Sequence, residues 1–364
     1  MDELQEKHFR RSLSPSSLTS RRRLLRAAFS TCVLLFLIYS VLSWSSGRTR
    51  SPVWPNLAQH DMAGYDSSPR GLPSSVSLDS LTDDQMKSNY AYSIYVTDQT
   101  YLCPAVMMIE SLRTVGSRAS RLVLHPSSWT NVSSRDPLVD RLLTLAVALG
   151  ATLTPVDILT SRHGDPTWAD SYTKLLAFNQ IRFTRVISLD TDATVLQNLD
   201  PLFSFPLHEE MPIAAPLAYW LENPTLSSQI MLIRPSPAGF AKVNSTWRLI
   251  NSLYGSTAGV LPHRGWDLLS GEFRQQDHSR YLGPAAGQGD GERWNATREL
   301  KEAKYVHFPD WPMPKPWLAT GEEVEGVLPA CRQKEGERED CGDREAWGWL
   351  YRDFLERRGK VCGS

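Results

Sequence analysis

The sequence has no excess of charge of either sign. It contains 39 Lys and Arg against 40 Asp and Glu in 364 residues, a formal net charge of −1. A protein that binds nucleic acid through its overall field needs a basic surplus, so no nucleic-acid partner is expected. Internal repeats are also absent. The 41% of apolar residues excludes a chain that is disordered throughout and permits a sizeable core.

Charge is missing altogether from one segment near the N-terminus. Residues 27–44 carry no charged side chain and include the apolar run Val33–Ile38. As a helix, this segment would reach about 27 Å, close to the thickness of a bilayer's hydrocarbon core. Residues 1–26 hold seven basic and three acidic side chains. This basic surplus favours a location of residues 1–26 on the cytosolic side of the membrane. The pattern predicts a cytosolic tail over 1–26 and an uncleaved transmembrane signal anchor over 27–44.

A cleaved signal peptide is the alternative interpretation of residues 27–44. The leader before the apolar run is long, and no Ala-x-Ala cleavage site follows the run, so we favour the anchor. The remaining chain is then expected to cross the membrane. Three sequons for N-linked glycosylation follow the predicted anchor, at Asn131, Asn244 and Asn295.

Cysteine is scarce in this sequence. One of the five cysteines, Cys32, falls in the predicted anchor. The other four are Cys103, Cys331, Cys341 and Cys362. Their spacing matches no zinc ribbon, and in an oxidising lumen they allow three complete disulfide pairings, among which the sequence does not choose.

Residues 45–88 are rich in Ser, Pro, Gly and Asp and show no sustained apolar periodicity, which predicts a flexible stem. Residues 89–364 contain no second linker of that kind and are expected to form one lumenal domain. Strand-like runs lie at 92–96, 121–124, 152–156 and 186–189, and helical patterns at 105–112, 138–149 and about 168–180. This alternation predicts an α/β fold of parallel strands with helices on both faces.

Two carboxylates follow the fourth predicted strand, in Asp190-Thr191-Asp192. Alternate side chains of an extended chain share one side, so both carboxylates are expected to point the same way and to clamp Mg²⁺ or Mn²⁺. Doubly wound sheets bind ligands at the carboxyl ends of their strands, which directs attention to the residues after Val96 and Leu189. The alternative is a pair of solvated turn carboxylates, because this short motif is common.

Several segments form a pattern with these carboxylates. They are Tyr172-Thr173-Lys174-Leu175, residues 189–203, residues 96–101, residues 226–236, and the His-Phe and Lys-Pro-Trp elements within 307–317. Together they resemble glycogenin and the family-8 glycosyltransferases over about residues 90–320, with gaps, although the last spacer is longer here than in glycogenin. The resemblance implies a GT-A-like (Rossmann-like) domain that binds a nucleotide-diphospho-sugar.

The resemblance also implies roles for individual residues. Asp190, Asp192 and His307 would bind a divalent metal, Mn²⁺ by expectation, and Lys315 would contact the diphosphate of a UDP-sugar. Carboxylates with an imidazole suit Mn²⁺ better than Ca²⁺, and an ammonium stabilises phosphate charge. Lys174 would reach the nucleotide sugar, with a surface helix lysine as the alternative.

Other residues are candidates for the nucleoside pocket and the reacting sugar. Thr97, Asp98 and Tyr101 are expected near the nucleoside, although Tyr101 can instead pack on the first helix. Asp267 and Gln229 are expected near the sugar. The family's acidic and amide segment is altered at 265–273, and Asp267 has the alternative of a carboxylate at a helix N-terminus.

The predicted anchor and the sequence of residues 310–317 look most like those of the fungal Golgi N-acetylglucosaminyltransferases of this family. We therefore expect a single-pass type II Golgi membrane enzyme that moves N-acetylglucosamine from UDP to a glycan or glycoprotein acceptor and retains anomeric configuration. One alternative is a catalytically degenerate scaffold that binds nucleotide sugar or glycan, because residues 265–273 depart from the family pattern. Another is a soluble self-glucosylating enzyme like glycogenin, which the anchor disfavours.

Overall fold

The computed structural model describes residues 77–160, 166–246, 250–283, 292–309, 315–332 and 339–363. The predicted tail, the predicted anchor and the predicted stem up to residue 76 lie outside these ranges. Among the helices within these ranges, none has the length and apolar character needed to cross a membrane. All the described residues belong to one compact unit that spans 63–364.

The strands are β1 Tyr90–Tyr95, β2 Ser120–Pro126, β3 Ala151–Val156, β4 Arg185–Leu189, β5 Ala193–Val195, β6 Ile213–Pro216, β7 Ile230–Ile233, β8 Gly259–Leu261, β9 Leu268–Leu269 and β10 Tyr305–His307. The α-helices are Asp83–Asn89, Leu102–Thr114, Pro137–Ala148, Pro237–Thr246, Ile250–Tyr254, Ser279–Leu282, Ala296–Glu302, Gly321–Val327 and Gly342–Cys362. Stretches of 3₁₀ helix include Gln99–Tyr101, Pro166–Asn179 and Ser270–Arg274. The predicted alternation of strands and helices is confirmed through β4, except that the expected helix at 168–180 is 3₁₀.

The main sheet has the strand order β3-β2-β1-β4-β7-β6-β8. Strands β1 to β4 pair with one another in parallel, as predicted. The sheet as a whole is mixed, because β7, a strand that was not predicted from the sequence, runs antiparallel to both β4 and β6. The chain returns from β6 to β7 through a loop closed by the antiparallel bridge Leu217↔Leu226, and such a return without a helical crossover gives antiparallel neighbours.

Strand β4 is buried on both faces. Ile187 and Leu189 belong to one apolar cluster, and Val186 belongs to the other. This division follows from the alternation of side chains along a strand. Leu189 is fully buried, so the chain leaves the middle of the core directly at Asp190.

A second sheet of three short strands, in the order β5-β10-β9, connects distant parts of the chain. Strand β10 is antiparallel to β5, with His307 opposite Ala193. It is parallel to β9, with His307 opposite Leu269. Because β5 begins one residue after Asp192 and β9 begins one residue after Asp267, this small sheet carries both segments to the end of β4.

The folded part of the chain begins before the predicted boundary at residue 89. The helix Asp83–Asn89 starts with a capping box in which Thr82 and Gln85 exchange side-chain and backbone hydrogen bonds. Met86 on this helix is fully buried in the core. The last residues assigned to the stem therefore belong to the domain.

The four cysteines form the pairs Cys103–Cys362 and Cys331–Cys341. This selects one of the three pairings that the sequence left open. The first pair joins the start of the helix Leu102–Thr114 to the end of the helix Gly342–Cys362. The last helix is therefore covalently attached beside the first strands of the sheet.

Candidate active site

Two carboxylates and an imidazole converge at the carboxyl end of β4. Ligand atoms of Asp190, Asp192 and His307 all lie within 4.8 Å of one another. The structure therefore brings the two carboxylates to one side, as the extended-chain argument predicted, and adds the histidine that the family resemblance implied. The alternative of two solvated turn carboxylates is wrong for Asp190, which is only 7% exposed.

Pairing between β5 and β10 places His307 beside Asp192. The backbone N–H of Phe308 donates to the carbonyl of Asp192 at 2.8 Å. The Nε2 of His307 lies 3.0 Å from Oδ1 of Asp192. Its Nδ1 is buried and has no hydrogen-bond partner among the described residues, so the ring retains capacity for one more ligand or hydrogen bond.

Lys315 also contacts Asp192. Its Nζ lies 2.7 Å from Oδ2 of Asp192 and donates to the carbonyl of Phe308 at 2.5 Å. Burial acts to raise the pKa of Asp192, but the charges and hydrogen bonds of His307 and Lys315 outweigh burial and hold that pKa well below its usual range. Asp192 is therefore an anion at physiological pH, between an ammonium and an imidazole.

Lys174 pairs with the other carboxylate. It lies in the 3₁₀ helix Pro166–Asn179, and its Nζ is 2.7 Å from the carboxylate of Asp190 and 3.3 Å from Oγ of Ser228. Lys174 is only 8% exposed, so the alternative of a surface lysine is wrong. Burial raises the pKa of Asp190, while the charge of Lys174 opposes that shift.

Two tyrosines that the sequence analysis did not identify border the site. The hydroxyl of Tyr305 donates to the carbonyls of Asp190 and Gln229, at 3.2 and 3.0 Å. The Nζ of Lys174 lies 5.7 Å from the ring centroid of Tyr95, within the range of a cation–π contact. Both tyrosines could have been identified from their positions in the sequence. Tyr95 ends β1, and Tyr305 precedes His307 by two residues and so lies on the same face of β10.

Asp267 is fully buried just before β9. It does not stand at a helix N-terminus, so that alternative is wrong. Burial is the largest influence on this carboxyl and raises its pKa to about 7, with Ser227 and His307 acting in the opposite direction. Asp267 is thus a carboxyl that can change protonation state near neutral pH, in the electrostatic neighbourhood of His307.

Gln229 lies at the same edge of the sheet. Its carbonyl accepts from the backbone N–H of Asp190 at 3.0 Å. Its side-chain Oε1 is buried without a hydrogen-bond partner among the described residues. A hydroxyl-bearing ligand in this region would supply the missing donor.

The three residues predicted for the nucleoside pocket follow β1. Asp98 caps the short 3₁₀ helix Gln99–Tyr101, because its Oδ1 accepts from the backbone N–H of Thr100 at 2.7 Å. The ring of Tyr101 packs edge-on against Trp317, with centroids 5.8 Å apart. Tyr101 therefore connects the end of β1 to the segment that carries Lys315, and Thr97 lies directly between β1 and this turn.

The last helix supports the site from behind, which the sequence analysis did not predict. Phe308 packs edge-on against Tyr351 and Phe354, with centroids 5.5 and 5.4 Å apart. Trp317 lies 5.6 Å from Phe354. The segments that carry His307 and Lys315 therefore share one aromatic support, provided by residues beyond the segment that resembles family 8.

The donor set fits a divalent cation such as Mn²⁺. Two carboxylates and an imidazole suit this ion, and one ligand atom from each of Asp190, Asp192 and His307 lies within 4.8 Å of the others. A second group, formed by Cys331, Glu339 and Cys341, is unsuitable, because its two sulfurs form a disulfide.

Comparison with known proteins identifies the family. No family profile matches the chain. The glucose N-acetyltransferase 1 of Gibberella zeae is 42% identical over 295 residues, which cover 76% of this chain and 63% of that protein. The protein of the same name from Aspergillus fumigatus is 40% identical over 305 residues, which cover 76% of this chain and 77% of that protein. The chain belongs to the family of the fungal glucose N-acetyltransferase 1 proteins. It spans less than two thirds of the length of the Gibberella relative.

Solved structures of glycosyltransferases are more distant. The bifunctional glycosyltransferase WbbM is 16% identical, with a TM-score of 0.47, and the match covers 74% of this chain and 52% of that one. The galactosyltransferase LgtC, solved with donor and acceptor sugar analogues, is 15% identical, with a TM-score of 0.45 and coverage of 74% and 95%. The resemblance inferred from the motifs, to fungal members of a glycosyltransferase family, is confirmed by the two fungal relatives. The mixed sheet agrees with the GT-A-like fold that the resemblance implied.

Proposed function

We propose that the protein is a metal-dependent glycosyltransferase that moves N-acetylglucosamine from a UDP donor to a glycan or glycoprotein acceptor, with retention of anomeric configuration. One observation carries the proposal: two carboxylates, an imidazole and two buried ammonium groups converge at the carboxyl end of β4. Cation-binding oxygens beside ammonium groups are the chemistry that a nucleoside diphosphate requires.

Asp190, Asp192 and His307 would hold Mn²⁺, which when bound would neutralise charge on the departing UDP. The ammonium of Lys315 would bind the diphosphate, and that of Lys174 would orient the sugar. Gln229 Oε1 would accept a hydrogen bond from a hydroxyl of the donor, since it lacks a partner within the described ranges. Asp267, with its pKa of about 7, would hold or release a proton near the reacting sugar.

We place the protein in the Golgi as a single-pass type II membrane protein. The support is the uncharged segment 27–44 behind a basic tail. The two disulfides agree with a domain in an oxidising compartment. A glycan or glycoprotein is the acceptor that we expect at that location.

The donor is tested by incubating the purified full chain with Mn²⁺ and UDP-N-acetylglucosamine, UDP-glucose, UDP-galactose or acetyl-coenzyme A. The last is included because the relatives' name describes acetyl transfer. We expect UDP release from UDP-N-acetylglucosamine, with water taking the sugar in the absence of an acceptor, and no turnover of acetyl-coenzyme A. Acetyl transfer without UDP release would overturn the proposal. UDP binding without turnover of any donor would favour the catalytically degenerate scaffold. That alternative is based on residues 265–273, which depart from the family pattern.

A further inference from the structure

Both carboxylates of the candidate metal site have a buried ammonium as partner. The Nζ of Lys174 lies 2.7 Å from Asp190, and the Nζ of Lys315 lies 2.7 Å from Asp192. The two lysines are 8% and 7% exposed. Two negative and two positive charges therefore cancel within a buried cluster that the chain builds from its own side chains.

A divalent cation on the same carboxylates would add two positive charges to this neutral cluster. Uncompensated charge in a buried site is costly. A diphosphate removes that cost, because its negative oxygens balance the cation and accept hydrogen bonds from the ammonium groups. The cation and the diphosphate should therefore bind more favourably together than either binds alone.

Each lysine has an uncharged second partner that allows it to leave its carboxylate. Lys315 also donates to the carbonyl of Phe308 at 2.5 Å. Lys174 lies 3.3 Å from Oγ of Ser228 and faces the ring of Tyr95. An ammonium that turns from its carboxylate toward a phosphate would therefore keep part of its coordination.

We propose that Lys174 and Lys315 are built-in counter-cations that weaken the binding of a divalent cation alone and make it conditional on a diphosphate. The inference rests on the proposed function, because it takes Asp190, Asp192 and His307 as the metal ligands. Thermodynamic linkage requires the cation to tighten diphosphate binding by the same factor. The two lysines thus couple the two ligands and protect the site from cations that arrive without a nucleotide.

The test measures Mn²⁺ affinity of the full chain by calorimetry, with and without UDP. We expect Lys315→Met and Lys174→Met to bind Mn²⁺ alone about 10-fold more tightly than the wild type, and the tightening by UDP to shrink. Lys315→Arg keeps the charge and should behave like the wild type. Lys304→Met is the matched control, because the Nζ of this partly buried lysine donates to Gln197; its affinity should not change.

Unchanged or weaker Mn²⁺ affinity in a folded Lys315→Met variant would overturn the inference while leaving the proposed function in place. Absence of Mn²⁺ binding by the wild type, even with UDP, would overturn both. Thermal unfolding provides a second measurement, because a ligand that binds more tightly stabilises more. Mn²⁺ should raise the melting temperature of Lys315→Met more than that of the wild type, and an equal or smaller rise would contradict the inference.

Discussion

At the residue scale, two aspartates of the site show how neighbours determine charge. Asp192 is partly buried, but His307 and Lys315 contact it and keep its pKa well below the usual range. Asp267 is fully buried, and burial dominates, so its pKa rises to about 7. The same side chain is therefore a fixed anion at one position and a group that titrates near neutrality at another.

Replacement of Asp192 tests the proposed metal site. Asp192→Asn removes the charge but keeps the shape, so we expect UDP affinity in the presence of Mn²⁺ to fall more than about 10-fold. Calorimetry measures this, and circular dichroism checks that the fold is retained. Asp136→Asn is a control, because Asp136 caps the distant helix Pro137–Ala148. Unchanged UDP affinity in Asp192→Asn would remove the metal assignment.

Asp267 should make stability depend on pH. Its pKa is about 7 in the folded protein, against an ordinary value of 3.8 for an exposed aspartate. Between about pH 4 and pH 7 the native state therefore keeps a proton that the unfolded chain has lost, and the free energy of unfolding falls as the pH rises, by up to about 4 kcal/mol. Asp267→Asn lacks this contribution, so its free energy of unfolding should fall less than that of the wild type as the pH rises from 4 to 8.

Urea unfolding of both proteins at pH 4, 6 and 8 checks this expectation. Asp277→Asn is a useful comparison, because Asp277 is exposed and its pKa is lowered by hydrogen bonds to Ser279, so its effect on the pH dependence has the opposite sign. Parallel pH profiles for the wild type and Asp267→Asn would show that the carboxyl does not titrate as described.

At the element scale, one buried carboxylate connects the main sheet to the segment after β5. Asp200 accepts hydrogen bonds from the hydroxyl of Tyr92 on β1 at 2.6 Å and the hydroxyl of Ser117 at 3.0 Å. Its other oxygen accepts from the backbone N–H of Arg118 at 2.8 Å. Asp200 thus stabilises the relative position of β1, the entry to β2 and the chain that leaves the metal segment.

Asp200→Asn is expected to lower the free energy of unfolding by about 2 to 3 kcal/mol. The amide accepts fewer hydrogen bonds and turns an N–H group toward donors, and hydrogen bonds to charged groups contribute more than neutral ones. Chemical denaturation measures the change. Asp140→Asn is the control, because Asp140 forms a partly exposed ion pair with Arg135 and should cost less than about 1 kcal/mol. Equal effects would contradict the proposed role of Asp200 in holding these segments together.

The elements themselves were predictable where their signals are local. Strands β1 to β4 and the α-helices Leu102–Thr114 and Pro137–Ala148 follow apolar periodicity and differ from the predictions only at their ends. The helix predicted over about 168–180 is a 3₁₀ helix over Pro166–Asn179. A spacing of three, such as Leu175 to Phe178, fits both 3.0 and 3.6 residues per turn. The short strand β10 was not predicted, because three residues carry too little pattern.

At the scale of the whole molecule, two disulfides close loops of very different length. Cys103–Cys362 has a sequence separation of 259, and Cys331–Cys341 has a separation of 10. A crosslink that closes a longer loop removes more entropy from the unfolded chain. The first disulfide also holds the helix that supports Phe308 and Trp317.

Removal of the long-range disulfide should therefore cost more stability than removal of the short one. We expect the pair of substitutions Cys103→Ser and Cys362→Ser to lower the free energy of unfolding by about 5 kcal/mol, and Cys331→Ser with Cys341→Ser by about 3 kcal/mol. Guanidinium denaturation of the two double variants measures the order. A larger loss for the short loop would show that contacts around it, rather than chain entropy, dominate.

The sequence alone determined the α/β alternation, the placement of Asp190 and Asp192 after a buried strand, and the resemblance that led to the family, because these depend on neighbouring residues. Only the tertiary structure decided that His307 and Lys315 meet Asp192, that β7 is antiparallel, which cysteines pair, and that Asp267 is buried enough to titrate near neutrality. These outcomes depend on which distant segments pack together. That choice follows from the burial and hydrogen bonding of the whole domain, and no local pattern records it.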